Sequence, residues 1–473
     1  MRAHPAGVLH AGFQSPTDAA DVRFGDVNSP THDLAFLDPA IWPVTAERRS
    51  GVLHLGGIDV SRLATEHGTP VLIIDEQDFR ARARAYVASF TNAAGESGAG
   101  VSYASKALLC KGIARWVREE GLGIDVCTEG ELAVALAAGF PPEHITLHGS
   151  NKSVDELKQA LTVGVGRIVL DSFTEIDRVI ALAVTHNVRP QVLIRITVGV
   201  QAHTHEFIAT AHEDQKFGFS LASGAAGQAI EKVLSESSLE LVGLHSHIGS
   251  QIFDTAGFEV ATHRLAGLLT AIRDKYAIAL PELDLGGGWG IAYVTGDDPA
   301  DVNDVATQLC SIVATECTAA GLAIPRLIVE PGRTIVGPAG VSLYQVGTVK
   351  DVDGIRTYVS VDGGMSDNHR TALYDASFTC VLANRASNAP PMLSRVVGKH
   401  CETGDVVVKD AWLPADVGPG DVLAVPAAGA YTRSMASNYN FVTKPPLVAV
   451  ADGASTVLVR RETMDDLLRL DVG

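Results

Sequence analysis

Leu327-Ile328-Val329 followed by Glu330-Pro331-Gly332-Arg333 decides how this chain is read. The apolar triplet has the character of a buried strand. The next four residues supply a carboxylate, a chain bend, an open backbone and a guanidinium, and a strand end is a rigid place to hold such groups. Seven similar runs precede it: Val101–Ala104, Gly123–Val126, Ile145–His148, Arg167–Leu170, Gln191–Ile194, Leu241–Leu244 and Leu283–Leu285. Helical patterns such as Glu129–Ala138 and Val154–Val163 lie between most of them. Eight strand–helix repeats of this spacing predict an α/β fold, a closed (β/α)8 TIM-like barrel, rather than an open doubly wound sheet.

A further apolar run, Val71–Asp75, comes before the first of the eight and is assigned to the same domain. After Arg333 the texture changes. Val341–Val349, Thr357–Val361, Phe378–Leu382, Val406–Val408, Val422–Val425 and Val448–Val450 are short β-rich runs separated by Gly, Pro and Asp. No long helical pattern follows until Met464–Leu470. This predicts a C-terminal all-β barrel or sandwich. The expected division is a flexible extension over 1–34, a segment over 35–70 that packs on the β domain, the barrel over 71–336 and the β domain over 337–473.

Hydrophobic residues make up 46% of the chain and charged residues 19%, enough apolar material for a large core. A formal net charge of -18 argues against nucleic acid or an anionic membrane as partner, because both require basic surface. It does not argue against a phosphate held by backbone N–H groups. The six cysteines, at 110, 127, 310, 317, 380 and 401, are too scattered for a disulfide framework and contain no CxxC pair, which predicts reduced thiols in the cytoplasm. Cys310 and Cys317 have helical spacing and are expected in a core. No signal peptide or membrane span is expected.

Barrels carry their active sites at the C-terminal ends of the strands. There the chain places Ser105-Lys106, Asp125 with Cys127-Thr128-Glu129, His148–Lys152, His245–Ser250, Gly286–Gly290 and Glu330–Arg333. Three consecutive glycines let the backbone turn tightly and bring N–H donors to an anion, and barrels often hold phosphate after strands 7 and 8. Ser250 could add a hydroxyl. A lysine at a barrel mouth, desolvated and with charged neighbours, becomes an amine nucleophile; Lys106 stands at such a place. His247 could stack on a ring bound there, or be a core histidine. A carboxylate such as Glu330 suits a cationic ring nitrogen. The combination points to pyridoxal phosphate.

Tyr103–Lys106, His245–Gln251, Gly286–Gly290, Glu330–Arg333, Asp362–Met365 with Asp367–Arg370, Gly398–Asp405, and Gly429–Tyr431 with Ser437–Asn440 occur in one order. Together they resemble the motifs of the diaminopimelate decarboxylases, in the alanine racemase/ornithine decarboxylase fold family, over about residues 36–470. The resemblance implies pyridoxal 5'-phosphate as cofactor, meso-diaminopimelate as substrate, and L-lysine and carbon dioxide as products. By position it implies that Lys106 carries the cofactor and that His247, Ser250, Gly287, Gly288, Glu330, Pro331, Gly332, Arg333 and Tyr431 bind it. Arg333, Arg370, Tyr374, Glu402 and Tyr431 would bind substrate. Cys401 would donate a proton, making it catalytic with Lys106 and His247. The family places that cysteine in a neighbour's active site, so a homodimer with shared sites is implied.

The chemistry is consistent with a substrate that has an amino acid group at each end. Arg333 and Arg370 suit a distal carboxylate through bidentate geometry, and Glu402 suits the distal ammonium. Ornithine or arginine lacks that carboxylate. A racemase would be expected to place a cation rather than Glu330 at the ring nitrogen. Three residues depart from the family pattern: Trp289, expected to crowd the phosphate edge, His369 and Arg433. His203-Thr204-His205-Glu206 with His212 has the spacing of metal ligands, but its place after strand 5 favours a mobile lid, and no metal is expected.

Overall fold

The structure, a computed structural model, describes residues 33–200, 216–353 and 355–473. The expected N-terminal extension therefore lies outside the described residues up to position 32, as does the His203–Glu206 and His212 cluster. The chain divides into two compact units. One comprises 80–290 and 299–335; the other comprises the described residues of 1–79, 291–298 and 336–473.

The first unit is the barrel. Its strands are β1 (Ala99–Ala104), β2 (Gly123–Val126), β3 (Ile145–Leu147), β4 (Arg167–Leu170), β5 (Gln191–Thr197), β6 (Glu240–His245), β7 (Glu282–Asp284) and β8 (Arg326–Val329). Each pairs in parallel with the next, and β8 pairs with β1, so the sheet closes. Val169, Leu193 and Val242 form an apolar cluster. The helices begin where the sequence offers caps. α1 (Lys111–Glu119) follows β1. α2 (Glu129–Ala137), α3 (Val154–Val163) and α4 (Phe173–His186) start after Thr128, Ser153 and Ser172, whose hydroxyls accept from the N–H groups of Glu131, Glu156 and Glu175. The Thr/Ser-x-x-Glu spacing satisfies otherwise orphaned N–H groups, each cap contributing about 1 kcal/mol.

Trp289 follows the glycines after β7 and is 5% exposed. Its indole stacks on Phe258 with ring centres 5.4 Å apart, and Tyr86 and Phe90 lie 6.2 and 6.3 Å away. The expectation that it crowds a phosphate is corrected: apolar burial draws the ring into an aromatic cluster beneath the turn. Trp289→Ala should destabilise the protein by about 3–5 kcal/mol, read from the denaturant midpoint at constant m-value.

In the second unit a curved sheet runs in the order Val406–Pro414, Pro391–Val397, Arg356–Val361, Gly340–Val352, Val71–Asp75, Leu447–Ala451, Ala454–Val459. Val71–Asp75 is thus a central strand here, antiparallel to Gly340–Val352 and parallel to Leu447–Ala451. Its assignment to the barrel domain is corrected. All five of its residues are buried, and an apolar run with both faces covered has the same composition in either sheet. Ile41, Trp42, Leu53 and Leu55 pack into the core of this unit with Val341, Leu343, Leu423 and Val448. Residues 291–298 also belong to it. No helix among the described residues is long and apolar enough to cross a membrane.

Candidate active site

The C-terminal ends of the barrel strands surround a cavity of about 430 Å³ lined by Lys106, Asp125, His148, Arg195, His245, His247 and Glu330. Each of these residues is at or just after the end of a different strand, apart from His245 and His247, which share β6. Lys106 sits in the single turn after β1 and is exposed, against the expectation of a desolvated strand-end lysine.

Glu330 is the centre of the charge pattern. Nε2 of His148 and Nε2 of His245 both lie 3.2 Å from its Oε1. Neither contact is aligned as a hydrogen bond, so Oε1 is buried without a partner of that kind. Burial alone would raise the Glu330 carboxyl, but the adjacent imidazoles outweigh it and hold the group well below the usual carboxylate range. Burial opposes charge on His148 too, yet Glu330 and Asp125 lift it to about 9. His245, with no such margin, is pushed down by burial to about 4. The buried ion pair is therefore His148 with Glu330, beside a neutral His245. The two histidines and Glu330 have donor atoms within 4.8 Å of one another, the spacing of a metal site.

Asp125 accepts from Ser102 Oγ at 2.5 Å and is raised to about 6 by burial and by Glu330. Arg195 lies over the Phe217 ring at 4.3 Å and 3.9 Å from Asp171. Burial, then the nearby Lys106, lowers His247 well below its ordinary value. Its Nδ1 accepts from the Gly287 N–H at 3.2 Å, which leaves the proton on Nε2.

The glycine turn is required by close approach. A Cβ on Gly287 would stand 2.1 Å from the Glu330 carbonyl oxygen, and one on Gly288, at φ +117, would stand 2.3 Å from that of Gly249. Two of its N–H groups are engaged internally: Gly286 donates to Asp284 Oδ1 at 2.8 Å and Gly287 to His247. Of the two glycines expected to bind cofactor, Gly287 therefore has its N–H taken by His247, since buried backbone donors must be satisfied. Arg333, 7% exposed, donates through Nη2 to Ser250 Oγ at 2.9 Å. That leaves the serine hydroxyl proton to donate elsewhere. Pro331 accepts from the Ala104 N–H at 3.2 Å, and a Cβ on Gly332 would lie 2.9 Å from the Ala104 carbonyl oxygen. These contacts tie the turn after β8 to the start of the Lys106 turn.

In the second unit, the Arg370 guanidinium sits 5.2 Å from the Tyr293 ring centre, 5.8 Å from Tyr374 and 5.9 Å from Tyr431. Tyr431 is held at φ +60, an uncommon conformation for an aromatic residue. Cys401 and Glu402 stand exposed on the turn between Pro391–Val397 and Val406–Pro414, where the Cys401 N–H donates to Asn440 Oδ1 at 3.3 Å. His369 is partly buried and lowered by that burial; Arg433 borders a small recess with Tyr344 and Asp367.

Sequence reasoning named His148, His245 and Asp125 as strand-end residues without giving them roles, and passed over Arg195, Asp284 and Tyr293. Polar residues embedded in otherwise apolar strands were the signal available for Arg195 and Asp284.

Comparison with known proteins agrees with this arrangement. Residues 77–337 match the model of the pyridoxal-dependent decarboxylase, pyridoxal binding domain. The diaminopimelate decarboxylase of Mycobacterium tuberculosis is 55% identical over 450 residues, covering 93% of this chain and 100% of that one. The chain belongs to the diaminopimelate decarboxylase family. A second member of that family, from Mycobacterium leprae, is 53% identical over 481 residues, covering all of both chains. The crystal structure of diaminopimelate decarboxylase from M. jannaschii in co-complex with L-lysine superposes with a TM-score of 0.86 at 30% identity, covering 91% of this chain and 98% of that one. Pyridoxal 5'-phosphate is the cofactor of a diaminopimelate decarboxylase, and the cavity fits it. A buried, ionised Glu330 has an oxygen without a hydrogen bond, Lys106 offers an amine on the cavity wall, and the adjacent turn tolerates no side chain.

Proposed function

We propose that this protein removes one carboxylate from meso-2,6-diaminopimelate to give L-lysine and carbon dioxide, the last step of lysine biosynthesis by the diaminopimelate route. The observation that carries the reading is the ionised carboxylate of Glu330 in the same cavity as the Lys106 amine. Bound there, pyridoxal phosphate supplies an electron sink for the carbon that loses its carboxylate. Lys106 would hold the cofactor through its amine, and Glu330 would supply the anion that keeps its ring nitrogen protonated. His247, neutral and oriented by Gly287, would support the ring. Ser250, Gly288 and the Glu330–Arg333 turn, with Tyr431, bind the cofactor's remaining groups.

Arg333 and Arg370 receive the distal carboxylate, and Glu402 the distal ammonium. The tyrosines around Arg370 support this role, because ring faces hold a guanidinium in place without neutralising it. Tyr374 contributes to the same pocket. After the carbon–carbon bond breaks, the Cys401 thiol or Lys106 Nζ delivers a proton to the carbon. Cys401 acts from the partner subunit of a homodimer, which its exposed position permits. The enzyme works in the cytoplasm.

Purified protein should release carbon dioxide from meso-diaminopimelate, with lysine as the product, and do so faster when pyridoxal phosphate is added. Ornithine, arginine and a carboxylated polyamine should be turned over at least about a hundredfold more slowly, the discrimination expected when a site built for a charged group meets a substrate lacking it. Equal turnover of ornithine would overturn the substrate assignment.

A further inference from the structure

Asp284 closes β7 and is 2% exposed. In register it lies beside His245 of β6 and Ile328 of β8. Its Oδ1 accepts the N–H of Gly286, the first residue of the glycine turn, at 2.8 Å, and its carbonyl oxygen accepts from Ser246 at 2.8 Å. The Gly286 carbonyl in turn accepts the N–H of Glu330 at 2.8 Å. Burial, then the neighbouring Glu330, holds the Asp284 carboxyl well above the ordinary range. The other titratable groups near it are Asp125 from β2, Arg195 from β5 and, beside it in register, His245 of β6.

We propose that Asp284 is a positioning residue that fixes the cofactor's phosphate turn and its ring-nitrogen acid relative to one another: its carboxyl oxygen accepts from Gly286, whose own carbonyl accepts from the Glu330 N–H. This rests on the reading of Glu330 and the glycine turn as cofactor contacts. Asparagine keeps the acceptor, because its amide presents an oxygen in the same shape. Leucine offers none.

The test is rebinding of pyridoxal phosphate to cofactor-stripped protein, followed by absorbance, for the wild type, Asp284→Asn and Asp284→Leu. Asp284→Asn should bind within about threefold of the wild type, and Asp284→Leu at least about tenfold more weakly, as for a buried donor left unsatisfied. Wild-type affinity in Asp284→Leu overturns the proposal. So does an Asp284→Asn protein as weak as Asp284→Leu, which would mean that an ionised carboxylate is needed. Should Asp284→Leu fail to fold, Asp284→Asn decides alone: a tenfold loss overturns the proposal and retained affinity supports it. Binding is read without substrate, so failure here leaves the decarboxylation result standing. A wild-type protein that binds no pyridoxal phosphate overturns the cofactor reading and this proposal together.

Discussion

Glu330→Gln is expected to lower kcat for meso-diaminopimelate by roughly 10²–10³-fold, measured on protein whose cofactor occupancy has been matched to the wild type by absorbance. Glutamine preserves shape and removes charge. The ring nitrogen would then lose the anion that keeps it protonated, and the electron sink would weaken with it. A second effect falls on the protein. His148, which lies 3.2 Å from Glu330 Oε1, would lose its main partner and the raised pKa that partner gives it. Breaking a buried pair in this way costs about 3–5 kcal/mol. His148 is raised from 6.5 to about 9 in the folded state. Its contribution is therefore fully present below the unfolded value and is lost as pH rises through about 9. Cofactor-free wild type should lose stability across that window, and Glu330→Gln should not. Wild-type kcat in the variant at full occupancy would sink the role given to this carboxylate.

Lys106→Ala should abolish covalent attachment of the cofactor, with no cofactor-bearing Lys106 peptide found by mass spectrometry after borohydride treatment. Turnover should fall on the order of 10³-fold or more, as when one member of a cooperating catalytic set is removed. Stability should hardly change. Lys106 is exposed, so truncation opens no core cavity, and surface changes of this kind stay within about 0.5 kcal/mol. The two readouts separate a chemical role from a structural one. A variant that unfolds earlier yet keeps turnover would contradict the assignment.

The barrel was legible because parallel strands covered on both faces are continuous apolar runs, and eight of them at regular spacing admit few folds. The same property misled at Val71–Asp75. That run has no alternation to show which sheet it joins, and its partners are far away in sequence. Pro391–Val397 escaped notice because it opens on proline and carries Ser394 and Arg395, both buried in the fold. At the site, Lys106, His247 and Glu330 were readable from their places at strand ends, and the structure gathers them into one cavity. Asp284 and Arg195 were not, since a charged residue within a strand shows its purpose only when the neighbouring strands bring Glu330 and Asp171 beside it. The engagement of Gly286 and Gly287 with side chains was equally hidden, because three glycines announce a tight turn but not which N–H groups are already taken.

The central place of Val71–Asp75 bears on how the protein is made. A ribosome releases this strand before any of the barrel, but its two neighbours, Gly340–Val352 and Leu447–Ala451, only after the barrel is complete. All five of its residues are apolar or buried in the finished sheet, so through most of synthesis the chain carries an unmatched, aggregation-prone edge. The barrel has all its strands well before the second unit can close, and one of the two strands that shelter Val71–Asp75, Leu447–Ala451, is the last but one to be translated.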